Sequence, residues 1–317
     1  MNYSKLISER HWNLSDKGER ENNREELFID DIIQKEHIER EILSRLDGIN
    51  TVFDGGAGAG RFSIMLAKKG IKVTHFDISQ PMIEKARELA IAAGVEDHIV
   101  FVKGALEDLS LYSDSEFDMV ISFDAPISYT YPNQAEVIEN LIRIAKKKII
   151  ISVSSRLGSL PYFANPIQKN QFIIDKNTDD KFARWCLDNE KNQVENFIYD
   201  KANCENVFND GLCEDIEKSV ESYNNGEAPW PITYLFMPDE LKSLLEKNGV
   251  SDVHLAGPGA YARTIPNEIL MKIMNDEKQK VDFLDFCYQY DNNPYVCGMG
   301  KDNLLAYGEL KGKSHSR

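Results

Sequence analysis

The sequence predicts an α/β fold whose parallel sheet is covered by helices on both faces. Three observations carry this reading. Short apolar runs alternate with amphipathic stretches between residues 51 and 153. A glycine cluster directly follows the first of those runs. Apolar residues make up 42% of the 317, which fills a core and excludes a disordered chain. Strands that are apolar throughout, not alternating, belong to sheets buried on both sides.

Residues 1–26 are polar, with Tyr3, His11 and Trp12 as isolated aromatics. From Leu27 to Leu46 the pattern is helical, with Leu27, Ile32, Ile38, Ile42, Leu43 and Leu46 near one stripe and Gly48 as the stop. Thr51-Val52-Phe53 reads as a short strand ending at Asp54, and Arg61 to Lys69 as a helix closed by Gly70. Ile71 to Phe76 is a second strand ending at Asp77, and Pro81 opens a helix to about Ala93. Ile99 to Lys103 and Phe117 to Phe123 are the third and fourth strands. Gln134 to Ala145 is helical. Lys148 to Val153 is the fifth strand, approached through the solvated run Lys146-Lys147-Lys148.

The alternation then breaks. Residues 156–237 hold 8 Lys plus Arg against 14 Asp plus Glu, a local balance of −6. The stretch is too long for a bare loop and reads as helical over Asp179 to Glu190 and Asp215 to Tyr223. Pro238 starts a helix to about Asn248, closed by Gly249. Val253 to Ala256 is a sixth strand, Glu268 to Tyr290 is mostly helical, and Leu304 to Leu310 is the last strand.

Charge narrows the partners. With 37 Lys plus Arg against 52 Asp plus Glu, the net charge is −15. Such a body repels phosphate backbones and anionic lipid surfaces, so neither a nucleic acid nor a membrane is expected. The longest apolar runs, such as Ile149-Ile150-Ile151, fall far short of the ~20 residues that span a bilayer. The N-terminus lacks a secretory apolar segment, so a cytoplasmic location is expected. Cys186, Cys204, Cys213, Cys287 and Cys297 are odd in number and widely spaced, with no C-x-x-C. They read as thiols in a reducing compartment, and no metal site is expected.

The chemistry concentrates in Val52-Phe53-Asp54-Gly55-Gly56-Ala57-Gly58-Ala59-Gly60-Arg61. Glycines between a strand and a helix let a ligand approach the backbone and the bare helix N-terminus. The dinucleotide pattern G-x-G-x-x-G fails. Counted from Gly56 its sixth position is Arg61, and counted from Gly55 its third is Ala57. The Walker pattern fails as well, for want of Gly-Lys-Ser/Thr. What is present is D-x-G-x-G-x-G, made by Asp54, Gly56, Gly58 and Gly60.

This resembles the first motif of class I S-adenosylmethionine (SAM)-dependent methyltransferases. Phe76-Asp77-Ile78-Ser79 resembles the end of that family's second strand, and Ser79-Gln80-Pro81-Met82-Ile83-Glu84-Lys85-Ala86 its next helix start. Gly104-Ala105-Leu106-Glu107-Asp108-Leu109 resembles the adenine-side loop, Phe117 to Ser122 the fourth strand, and Gly298 to Gly308 the last strand. The resemblance implies a Rossmann-like three-layer sandwich with a mostly parallel seven-stranded sheet and an antiparallel last strand. It implies SAM as cofactor and S-adenosylhomocysteine as product. It places the cofactor on Asp54, Gly55, Gly56, Gly58 and Gly60, with Asp77 at the ribose hydroxyls. Ile78, Met82, Ala105, Leu106, Glu107 and Phe123 complete that set. One position departs from the family: many members carry Asp where this chain has Ala105. Backbone groups of Ala105 and Leu106, or the Glu107 side chain, are the substitutes.

The domain reading is an N-terminal helical lid over residues 1–47, a SAM-binding domain over 48–155 and 238–317, and an inserted substrate cap over 156–237. The acceptor side is less legible. Ser122-Phe123-Asp124-Ala125-Pro126-Ile127 resembles the [DNS]-P-P-[YF] motif of amino-methyltransferases, but Ala125 and Ile127 break it. Asp124 reads as a site residue or as a turn former. Tyr129 and Tyr131 read as pocket walls or core. His254 reads as a base or as a core or rim histidine. Phe163, Trp185, Trp230 and Tyr234 read as an aromatic substrate box or as the core of the cap. Asp124, Tyr129 and His254 are therefore the catalytic candidates. The expected reaction is methyl transfer to a nitrogen or oxygen of a small, neutral or cationic acceptor. Methylation of a peptide or protein side chain, and a non-catalytic SAM-binding scaffold, are the alternatives.

Overall fold

The computed structural model describes residues 2–164, 170–300 and 303–310. Lys301 and Asp302, read above as leading into the last strand, and the side chain of Phe163 lie outside what is described. Seven strands form one sheet: β1 Thr51–Gly55, β2 Lys72–Asp77, β3 Ile99–Lys103, β4 Phe117–Ser122, β5 Ala145–Val153, β6 Val250–Ala256 and β7 Leu304–Leu310. Their order is β3-β2-β1-β4-β5-β7-β6. β7 runs antiparallel to both neighbours, while β1 to β5 pair in parallel.

Side chains on successive strand positions point to opposite faces, and here both faces are buried. Phe53 and Val120 enter one core together with Val137, Leu141, Leu241 and Leu245. Those four come from α7 Gln134–Ile144 and α12 Pro238–Lys247. Val52 and Ile121 enter the other core with Ile38, Ile42, Phe62, Leu66 and Ala90. Those come from α4 Ile29–Leu43, α5 Arg61–Ala67 and α6 Gln80–Ala92.

The N-terminal segment is helical, as α1 Tyr3–Trp12, α2 Lys17–Asn22 and α3 Arg24–Leu27. Two details differ from the sequence reading. The lysine run belongs to β5 itself. Lys147 Nζ pairs with Asp118 Oδ1 at 2.7 Å and Lys148 Nζ donates to the Arg45 carbonyl at 3.0 Å, so these lysines fasten the strand. The stretch from Glu268 to Tyr290 is two helices, α13 Asn267–Met274 and α14 Glu277–Asp291.

Beyond the strand ends lies a third core. Phe28, Ile29 and Ile33 meet Phe172, Ile173 and Ala183, then Ala262, Leu270, Phe283 and Leu284. Residues 156–224 supply α8 Arg156–Ala164, α9 Lys181–Glu195, α10 Lys201–Asp210 and α11 Ile216–Asn224. The helical layer over the sheet thus joins the N-terminal helices, the insertion, and α13 with α14. Buried Arg156 staples the insertion to its own return, donating from Nε to the Leu235 carbonyl at 2.9 Å. It also donates to the carbonyls of Phe208 and Asn209, each at 3.2 Å.

Candidate functional site

The glycine loop leaves β1 by turning sharply back on β2. The amides of Gly56 and Ala57 both donate to the Phe76 carbonyl, at 2.7 and 3.1 Å. Gly56, Gly58 and Gly60 all have positive φ, where a side chain is strained. A Cβ on Gly56 would sit 2.4 Å from Pro126 Cβ, whereas one on Gly58 would meet nothing within 4 Å. Gly58 borders open space, and a ligand can lie against its backbone there.

Two buried carboxyls hold this loop. Asp77 Oδ2 accepts from the Gly58 amide and Oδ1 from the Ser79 amide, each at 2.8 Å. The cap of α6 is Ser79, whose Oγ accepts from the Met82 amide. Asp54 Oδ2 accepts from Ser63 Oγ at 2.6 Å, and that oxygen lies 3.2 Å from His75 Nδ1. Burial pushes Asp54 up to about 7 and Asp77 up to about 6. Burial likewise holds His75 down at about 3, so its ring is neutral.

The loop opens into a cleft of about 780 Å³, a size that fits a cofactor-class ligand. Asp54, Gly56, Gly58, Asp77, Ile78, Met82, Leu106, Glu107 and Phe123 line it. Gly55, Gly60 and Ala105, expected on the same cofactor, are not among the residues that line it. The N-terminal helices close one side. Asn2 Nδ2 donates to Glu107 Oε1 at 3.4 Å, and Ser79 Oγ donates to the Trp12 carbonyl at 2.9 Å.

Past the end of β4, Asp124 and Ala125 have φ of 62° and 66°, two successive left-handed non-glycine residues. Asp124 lines the cleft and pairs with Arg24 Nη1 at 3.4 Å. Arg24 also forks onto Asp31, at 2.6 Å from Nη2 and 3.2 Å from Nε, and reaches Glu21 at 3.0 Å. Sequence reasoning missed Arg24, which sits in an unpatterned charged stretch.

Tyr129, Trp12 and Trp230 form an aromatic wall of the cleft, with ring centroids 6.0 to 6.4 Å apart. His11 backs it. Burial, then the charge of Lys17, holds its ring at about 4. Trp185 also lines the cleft. Tyr131 and Tyr234 do not; they stack on each other at 6.1 Å. His254 is a correction. It is exposed on β6, its ring stacked on Tyr307 at 5.3 Å, and it lies outside the cleft because β6 is the sheet's far edge.

The insertion adds residues that no motif announced. Leu212 bridges Tyr234, and the Thr233 amide donates to Glu214 Oε2 at 2.7 Å. Glu214 and Thr233 line the cleft, and burial pushes Glu214 up to about 7. Asp215 is recognisable as a helix cap, accepting from the Lys218 amide, but nothing local marks Glu214 beside it.

Residues 47–249 match a family model described as a methyltransferase domain. The chain belongs to that methyltransferase family. The chain carries the glycine loop and the sheet order that the resemblance implied. It is 33% identical over 70 residues to the tRNA 5-carboxymethoxyuridine methyltransferase of Escherichia coli (strain K12), covering 22% of this chain and 27% of that one. It is 33% identical over 139 residues to the chloroplastic magnesium protoporphyrin IX methyltransferase of Arabidopsis thaliana, covering 41% and 43%. It is 31% identical over 128 residues to the glycine/sarcosine/dimethylglycine N-methyltransferase of Actinopolyspora halophila, covering 39% and 21%. The match thus spans less than half the length of each of these relatives. The fold is shared with the plantazolicin methyltransferase BamL, at 17% identity over 98% of both chains and a TM-score of 0.50. No helix among the described residues is long and apolar enough to cross a membrane.

Proposed function

We propose that this methyltransferase acts on a nitrogen or oxygen of a small molecule enclosed between the glycine loop and the inserted helices. One observation carries the reading: Gly58 and Asp77 from the loop and Glu214, Trp230 and Thr233 from the insertion line a single cleft. Two of the relatives named above bear small acceptors in their names, magnesium protoporphyrin and glycine, which supports it.

The residues present fit the cofactor. Asp77 offers the ribose hydroxyls a carboxylate at a strand end, and Gly58 leaves room beside it. Leu106, Ile78 and Met82 give apolar surface for the adenine, and Glu107 the acceptor that Ala105 lacks. Bound SAM supplies an already electrophilic methyl group. The protein's share is then to align the acceptor and exclude water. Trp12, Tyr129 and Trp230 wall the acceptor, and residues 1–47 and 156–237 serve as lid and cap.

Calorimetric titration with SAM and S-adenosylhomocysteine, followed by a screen of amines, phenols and peptides for S-adenosylhomocysteine formation, tests this. Binding of both, with turnover on amines or phenols, is expected. Turnover on peptides alone would replace the small-molecule reading, and binding without any turnover would favour a scaffold. Asp77→Ala is expected to weaken SAM binding by about 1–3 kcal/mol. Unchanged affinity in a folded variant would remove the ribose assignment.

A further inference from the structure

The cleft's carboxyls differ in what already satisfies them. Asp31 and Asp124 share Arg24. Glu25 pairs with Lys35 at 2.7 Å. Asp77 has both oxygens on backbone amides. Glu107 accepts from Asn2 and feels the charge of Lys5. Asp54 accepts from Ser63 Oγ, and no cation acts on it or on Asp77; both stand on the glycine-loop side of the cleft. Glu214, on the insertion side, is in the same state. Its Oε2 is held by Thr233, and no charged side chain among the described residues acts on it. Tyr129, Trp230, Cys213 and Thr233 line the same cleft without a fixed charge of their own, while Lys17 Nζ stands 5.5 and 5.8 Å from the ring centroids of Trp12 and Trp230. Glu214 is half-buried, and a desolvated carboxylate without a cation is costly unless a ligand brings one.

We infer that the acceptor is an amine, bound as its ammonium against Glu214 with its organic part on Trp12, Tyr129 and Trp230. This rests on reading the cleft as the methyl-transfer site. An ammonium has no lone pair and cannot take a methyl group. Glu214 therefore also receives the proton: an N–H bond breaks, its electron pair stays on nitrogen, and an O–H bond forms at Glu214. The nitrogen is left neutral and nucleophilic. The carboxyl sits at about 7, which suits a proton acceptor at neutral pH.

The test uses the full chain saturated with S-adenosylhomocysteine, and two matched probe pairs: benzylamine with benzyl alcohol, and tryptamine with tryptophol. Calorimetry is expected to show one amine bound at least about tenfold more tightly than its alcohol, as a charge-assisted contact requires. The preference should grow between about pH 6 and about pH 8, as Glu214 ionises. Glu214→Gln keeps an oxygen for the Thr233 amide, so it should fold, bind S-adenosylhomocysteine unchanged, and lose both the preference and its pH dependence. Equal binding within both pairs, no binding of any probe, or a preference that survives Glu214→Gln would overturn the inference. Failure to bind S-adenosylhomocysteine at the outset would instead count against the site itself, which separates the two readings. Should Glu214→Gln melt early, Thr233→Pro serves as the second variant. It deletes the amide that aims the carboxylate and is expected to weaken the amine preference, and an intact preference there would also count against the inference.

Discussion

At the scale of single residues, two glycines of one motif have opposite reasons to be there. Gly56 is filled against Pro126, while Gly58 faces open space, although both have positive φ. Gly56→Ala is therefore expected to displace Pro126 and the β4 turn and to lower the melting temperature markedly. Gly58→Ala should cost only the left-handed strain, about 1–2 kcal/mol, yet weaken SAM binding by putting a methyl group into the cleft. Thermal melts and titrations of the two variants check this, and equal loss of stability in both would contradict it. The spacing D-x-G-x-G-x-G made all of these positions visible in the sequence. It did not reveal that Asp77 holds the Gly58 amide, because that bond joins residues brought together by β1–β2 pairing.

Among the elements, the N-terminal helices depended most on tertiary context. Their sequence is polar and weakly patterned, and they are held by Trp12, Asn2 and above all Arg24. Arg24 gathers Asp31, Glu21 and Asp124, joining the N-terminal segment to the loop after β4. Arg24→Ala is expected to cost about 1.5–3 kcal/mol of stability, measured by urea unfolding, because it strands partly buried carboxylates. Arg24→Lys should recover only part of this, since an ammonium cannot reproduce the fork onto Asp31. A loss below about 0.5 kcal/mol would mean the cluster is a surface ion network of little weight. The helices α13 and α14 show the same dependence. Their apolar residues were legible, but their partner in the third core was not, because it lies more than 200 residues away in α4.

For the whole molecule, buried titratable groups tie cofactor binding to pH. Asp54 and Asp77 are raised in the folded protein, so their contribution to stability is present below about pH 4 and lost as pH rises through 6 to 7. His37 and His75, both held down at about 3 by burial, act the other way. Their contribution is present above about 6.5 and lost as pH falls. Glu214 and Asp291, raised to about 7, join the carboxyls, and His11, held at about 4, joins the histidines. The carboxyls outnumber the histidines, so the melting temperature of the cofactor-free protein should fall as pH rises from about 5 to about 6.5. SAM carries a net positive charge and favours the ionised carboxyls. Its binding should release protons, and affinity should rise with pH by up to about tenfold per unit for each proton released. Calorimetry in two buffers of different ionisation heat measures that release. A pH-independent affinity would show that neither carboxyl faces the cofactor's charge.

What the sequence determined by itself was the sheet, the glycine loop and the cofactor. Strand burial on both faces writes continuous apolar runs, and a backbone that must accept a ligand writes glycine at fixed spacing. Both are local requirements, and both survive in a single chain of letters. What tertiary structure decided was the acceptor side. Whether Asp124 is paired, whether His254 reaches the cleft, and which carboxyls are left without a cation depend on chain segments that meet only after folding. Arg24 is 100 residues from Asp124, and Glu214 is 160 residues from Asp54. No spacing rule connects residues so far apart, because the geometry that joins them belongs to the packing of helices over the sheet.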